Sequence, residues 1–102
     1  MARDPKVLNE VKETLALLAQ AYPGKAIEVR IPPYAAVQCG DGPKHTRGTP
    51  PNVVEMQAET LFRLAQGENI WKSSIENGAI HASGERSDLE SLFQDLAIRM
   101  HP

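Results

Sequence analysis

A single cysteine, Cys39, leaves this chain without an internal disulfide. Packing alone must hold the fold, and that cysteine usage fits a reducing, cytoplasmic setting. Aromatic residues are scarce as well: Tyr22, Tyr34, Phe62, Trp71 and Phe93 are all there are, so aliphatic side chains must fill the core. Charge of one sign is missing too. A formal net charge of −2 gives no general attraction to nucleic acid or to an anionic membrane, and no nucleic-acid partner is expected. No apolar run approaches the roughly 20 residues that span a bilayer, so no integral membrane segment is expected. The opening MARDPKVLNEVKE lacks the apolar centre of a signal peptide. His45, His81 and His101 lie far apart, without CxxC or HExxH spacing, and neither a metal nor another cofactor is expected.

What is present has the proportions of an ordinary soluble protein, with 41% hydrophobic and 24% charged residues. At 102 residues the chain makes one domain, 1–102, with room for a single core. Its most unusual stretch is RIPPYAAVQCGDGPKHTRGTPPNVVE, from Arg30 to Glu55, with five of the eight prolines, the cysteine and the triplet His45-Thr46-Arg47. Proline fixes φ and glycine permits turns, so this backbone is shaped at specific points. Apolar residues between the breaks (Ala35 to Val37, Val53, Val54) argue against disorder.

Asp4-Pro5 offers a side-chain acceptor at a helix cap followed by proline at the first helical position. Val7, Leu8, Val11, Leu15, Leu18 and Tyr22 then recur at three- and four-residue steps, one apolar stripe on a helix stopped by Pro23-Gly24. Ala26 to Ile31 alternates strictly and predicts a half-buried strand. Tyr34 to Cys39 reads as a second strand, with Val37 and Cys39 on one face. Gly40 to Pro43 has turn chemistry, and a short extended piece, Lys44 to Thr46, is expected to pair back as a hairpin. Asn52 to Met56 reads as another strand, and Gln57 to Gln66 as a short helix ended by Gly67. Asn69 is expected to cap a helix holding Trp71 and Ile75. Ala79 to Ser83 is a brief strand, with Ile80 and Ala82 on one face and His81 on the other. The S-x-x-E pattern from Ser87 to Glu90 predicts a capping box opening the last helix, with Leu89, Leu92, Phe93, Leu96 and Met100 at helical spacing. This order predicts an α+β fold, a small, mainly antiparallel sheet covered by helices.

Residues 57–92, with Leu61 to Ala65, Gly67, Trp71 to Asn77, the Gly78-to-Gly84 strand and Asp88 to Leu92, resemble the end of the sterol-carrier-protein superfamily. Trp71 and the spacing around Ser83-Gly84 are also similar to the C-terminal domain of mycothiol-dependent maleylpyruvate isomerases. The PPY, HTRG and TPPNVVE elements of the first half resemble the bacterial orthologue family of sterol carrier proteins, small stand-alone actinobacterial proteins. The resemblance covers about residues 26–95. It implies a sterol-carrier-like fold, an actinobacterial source and no catalysis. The chain is short for a superfamily whose lipid-carrying members enclose a long apolar tunnel.

Two groupings carry candidate chemistry. Cys39 and His45 suit a thiolate–imidazole pair, but Cys39 alternates in phase with Val37, and buried filler is the stronger reading. His45, Thr46 and Arg47 suit a carboxylate or phosphate headgroup. The competing and favoured reading ties Arg47 to Glu55 or Asp41 to hold the proline loop. The functional expectation is a non-enzymatic binding module for a small apolar or amphipathic, lipid- or acyl-type ligand, with no catalytic residues. Leu61, Phe62, Trp71, Ile75 and Ile80 would line its cavity, and Tyr34, His45 and Arg47 its polar mouth. The alternative is an interaction or accessory module with a closed core and an apolar patch around Pro32, Pro33, Tyr34, Pro50 and Pro51. The oligomeric state is left open.

Overall fold

The computed structural model describes residues 4–42 and 52–101. The order of elements is α1 (Pro5–Ala21), β1 (Ile27–Ile31), β2 (Ala35–Cys39), β3 (Val53–Met56), α2 (Ala58–Ala65), α3 (Trp71–Glu76), β4 (Ile80–Ser83) and α4 (Glu90–Met100). The fold is α+β, as the alternation of sequence periods predicts.

Helix α1 begins where the Asp4-Pro5 pair places it. The Asp4 carboxylate accepts from the backbone N–H of Lys6 at 2.9 Å and of Val7 at 3.4 Å, satisfying two donors that the first turn leaves without helical partners. Its stripe of Val11, Leu15 and Leu18 is buried. The stop at Pro23-Gly24 is also a close backbone crossing. A Cβ on Gly24 would lie 1.9 Å from the Gly40 carbonyl oxygen. Around that crossing the Gly40 N–H donates to the Tyr22 carbonyl at 2.8 Å, and the Ala26 N–H donates to the Gly40 carbonyl at 3.2 Å. Glycine is therefore needed for proximity as well as for turning.

The four strands form one sheet in the order β2-β1-β3-β4. The β1–β2 and β3–β4 pairs are antiparallel, and the central β1–β3 pair is parallel. A tight hairpin joins β1 to β2 through Pro32, Pro33 and Tyr34. Its Pro32–Pro33 bond is cis, and the Tyr34 N–H donates to the Ile31 carbonyl at 2.8 Å. The hairpin expected from Lys44 to Thr46 lies outside the described residues. Period-two alternation sends Ile27, Val29, Ile31, Cys39, Val54 and Met56 to one face, all buried. They meet Val11, Leu15, Leu18, Leu61, Leu64, Phe93 and Leu96 from the helices in a single core. Glu28, Arg30, Gln38, Glu55, His81 and Ser83 alternate to the opposite face.

Two expected helix caps are corrected. Ile70, not Asn69, occupies the cap position of α3, without a side-chain cap. Before α4, the Ser87 hydroxyl donates back to the Gly84 carbonyl at 2.8 Å, while the Asp88 carboxylate accepts from the Glu90 N–H at 3.1 Å. Ser87 closes a local turn there, and the helix starts at Glu90.

Candidate functional site

The residues expected to line one cavity divide between the packed core and two surface clefts. Leu61, Trp71 and Ile80 are core residues, none more than 5% exposed. Trp71 stacks on Phe93 with ring centroids 6.2 Å apart. Phe62 is half-buried on a shallow cleft of about 190 Å³, shared with Thr14 of α1 and Met100 of α4. Ile75 is 39% exposed. It meets Ile80 along β4, in an open cleft of about 480 Å³ that also touches Val53 and Ala82. Leu61, Trp71 and Ile80 thus share the packed core, with Phe62 against it, and Ile75 meets Ile80 at the surface. His45 and Arg47 lie outside the described residues, as do Pro50 and Pro51.

Tyr34 is half-buried beside a different feature, a groove at the end of the sheet where β1 and β3 finish. One lobe, of about 540 Å³, runs between Pro32, Pro33 and Tyr34 of the hairpin turn and Gln57, Ala58 and Glu59 at the start of α2. A second lobe, of about 400 Å³, shares Pro32 and Gln57 with the first. It continues past Glu55, Met56 and Thr60 to the Asn77–Ala79 turn and His81. Each lobe has the volume of a small-molecule site. The proline pair builds one wall because it ends β1 at Ile31 and turns the chain back. The β3–α2 junction builds the other, because helix α2 starts only two residues after Met56. Gly42 and Asn52, which flank the 43–51 segment, lie at the opposite end of the sheet, where Ile27 pairs with Cys39 and Glu28 with Val53.

The charges near this groove follow from strand register. Arg30 stands between Ala36 and Glu55, and Glu55 stands between Arg30 and His81. The Arg30 Nε donates to Glu28 Oε1 at 2.8 Å, and this bond together with the Glu28 charge pushes the guanidinium pKa up. Arg30, on the neighbouring strand, is thus the described cation beside Glu55; the tie expected from Arg47 lies outside the described residues.

Elsewhere the polar groups hold the fold together. Asn52 is buried; its Nδ2 donates to the Ala26 carbonyl at 2.9 Å, and its Oδ1 accepts from the Arg86 N–H at 2.8 Å. This single side chain ties the residue that leads into β1 to the segment before α4 and gives the NVVE element its asparagine. The Tyr22 hydroxyl donates to the Asp95 carboxylate, which also accepts from Arg99 Nε at 2.8 Å. Burial, then the Asp95 carboxylate, raises the Tyr22 phenol to about 12. Cys39 is fully buried, and desolvation pushes its thiol up to about 11. At neutral pH it is a small apolar side chain of the core. Among the described residues no group of three or more His, Cys, Asp or Glu side chains is placed to hold a metal ion.

Sequence reasoning did not select Glu55, Gln57, Thr60 or Asn77 as site residues, and it placed His81 only on the outer face of its strand. A signal was present for Glu55 and His81, since both alternate away from the buried face of a strand. Their approach to Pro32 depends on the parallel β1–β3 pairing, a contact between distant parts of the chain.

Helices packed on a small mixed sheet, with a groove where the central strands end, make an α+β domain, the class expected from the sequence. The chain belongs to the bacterial SCP ortholog family, whose sequence model matches residues 3–94. A search of curated proteins finds no match. No helix among the described residues is long and apolar enough to cross a membrane.

Proposed function

We propose that this domain is a non-enzymatic, carrier-type binding module, and that it takes a small apolar or amphipathic ligand in the end groove. The observation that carries this reading is the apolar wall of Pro32, Pro33, Tyr34 and Ala58 facing an open lobe of about 540 Å³, in a chain of the SCP ortholog family. An apolar lining edged by a few polar groups suits a ligand with a tail and a head. The bound ligand lies at the surface, because Leu61, Trp71 and Ile80 already fill the core. Leaving Cys39 out of any chemistry agrees with its burial and its raised pKa.

Titrating delipidated protein with a fluorescent acyl probe tests this reading. Saturable binding is expected, about tenfold weaker in Tyr34→Ala, whose ring supplies much of the apolar wall. Absence of binding by folded protein would remove the carrier reading. The second reading, an interaction module with a closed core, is favoured by the exposed Pro32 and Pro33 beside a fully packed interior. It predicts that no lipid-type probe binds and that a protein partner is lost on replacing that proline pair.

A further inference from the structure

We infer that the ligand's head is a cation, and that the groove selects single-chain amphiphiles carrying a primary ammonium group over the corresponding carboxylates. This rests on the carrier reading and adds the chemical class of the ligand. The two lobes share Pro32 and Gln57, so they form one continuous groove with unlike ends. The hairpin end is apolar, through Pro33, Tyr34 and Ala58. The other end is polar, with the Glu55 carboxylate, Asn77 and His81. Glu59 adds a second carboxylate at the rim. Neither lobe is lined by lysine or arginine among the described residues. The cation beside Glu55, Arg30, lies outside both linings and gives its Nε–H to Glu28 at 2.8 Å.

The balance of formal charge on the lining is therefore negative. An ammonium head placed beside Glu55 gains a charge-assisted hydrogen bond and can give its other protons to amide oxygens of Gln57 and Asn77. A carboxylate in the same place would face Glu55 with no lysine or arginine of the described lining to pair with it, and with only Arg30 on the neighbouring strand to soften the repulsion among the described residues. The alkyl chain then runs past Pro32 towards Tyr34, covering apolar surface that is otherwise wet.

The test displaces an uncharged solvatochromic probe from the full chain with decylamine, decan-1-ol or decanoate at pH 7. Decylamine is expected to displace it at about fivefold lower concentration than decanol, with decanoate weakest, as fits a partly exposed ion pair. In Glu55→Gln the advantage of decylamine over decanol is expected to disappear. Higher salt should narrow the same gap in the wild type. Decanoate competing as well as decylamine, or an amine preference that survives Glu55→Gln, would overturn the cationic head while Tyr34-dependent probe binding left the carrier reading standing. A folded protein that binds no probe and no decyl compound would remove both.

Discussion

The two faces of the sheet are built from the same strands and have opposite characters. On the helix side, Ile27, Val29, Ile31, Val54 and Met56 are buried beneath α1, α2 and α4. On the other, Glu28, Arg30, Glu55 and His81 form a charged surface with one tight ion pair. One residue of register separates the two sets, and a slip of one position would exchange them. The comparison teaches that stability and recognition are written on alternate residues here. They meet only at the rim, where the hairpin turn and the β3–α2 junction bring apolar and polar groups together.

If that division holds, damage to the covered face should be severe. Phe93 is buried and stacks on Trp71, so Phe93→Ala should destabilise the protein by about 3–5 kcal/mol, read as a lowered midpoint in urea unfolding. Asn52 is the polar exception inside, with two bonds to backbone groups. Asn52→Ala leaves the Ala26 carbonyl and the Arg86 N–H without that partner, at a cost of about 2 kcal/mol; a loss below about 0.5 kcal/mol would show that water replaces the side chain.

Alkaline titration sharpens the contrast further. The thiol of Cys39 is raised from its ordinary value of 9.0 to about 11, and the phenol of Tyr22 from 10.0 to about 12. Each group holds its proton more tightly when folded, so its contribution is complete below the ordinary value and is lost as pH rises towards the folded one. Stability should be flat with respect to these two groups up to about pH 8 and fall by about 1–2 kcal/mol at pH 10. Denaturation curves of Cys39→Ala should show a shallower fall over the same range. The smallest effect belongs to the open face. Arg30→Ala removes an exposed ion pair and should cost less than about 1 kcal/mol; a larger loss would mean that the uncovered face also holds the sheet together.

The sequence was most readable where the physical signal is local. Asp4-Pro5 marked the start of α1, strict alternation marked β1, and Gly67 marked the end of α2. The caps at Asn69 and Ser87 misled because a polar side chain near a helix start has several backbone partners within reach, and neighbouring turns decide among them. The groove was harder to read. Its walls come from Pro32 to Tyr34, Glu55 to Glu59 and Asn77 to His81, three segments that only strand pairing brings together. Composition did mark Pro32, Pro33 and Tyr34 as an apolar surface feature. It could not show that Gln57 and Glu55 face it, and of the bulky apolar residues expected around a cavity Leu61, Trp71 and Ile80 are part of the packed core.

The lone cysteine also gives the molecule an internal clock. Cys39 ends β2, an edge strand, and is sealed from solvent, so a thiol reagent reaches it only while the structure is transiently open. At neutral pH its labelling rate therefore measures how often the β1–β2 hairpin parts from the helices above it. The turn of that hairpin forms one wall of the groove. A molecule seated there should hold the hairpin closed and slow the labelling in step with occupancy, so that binding can be followed through an atom the ligand never touches.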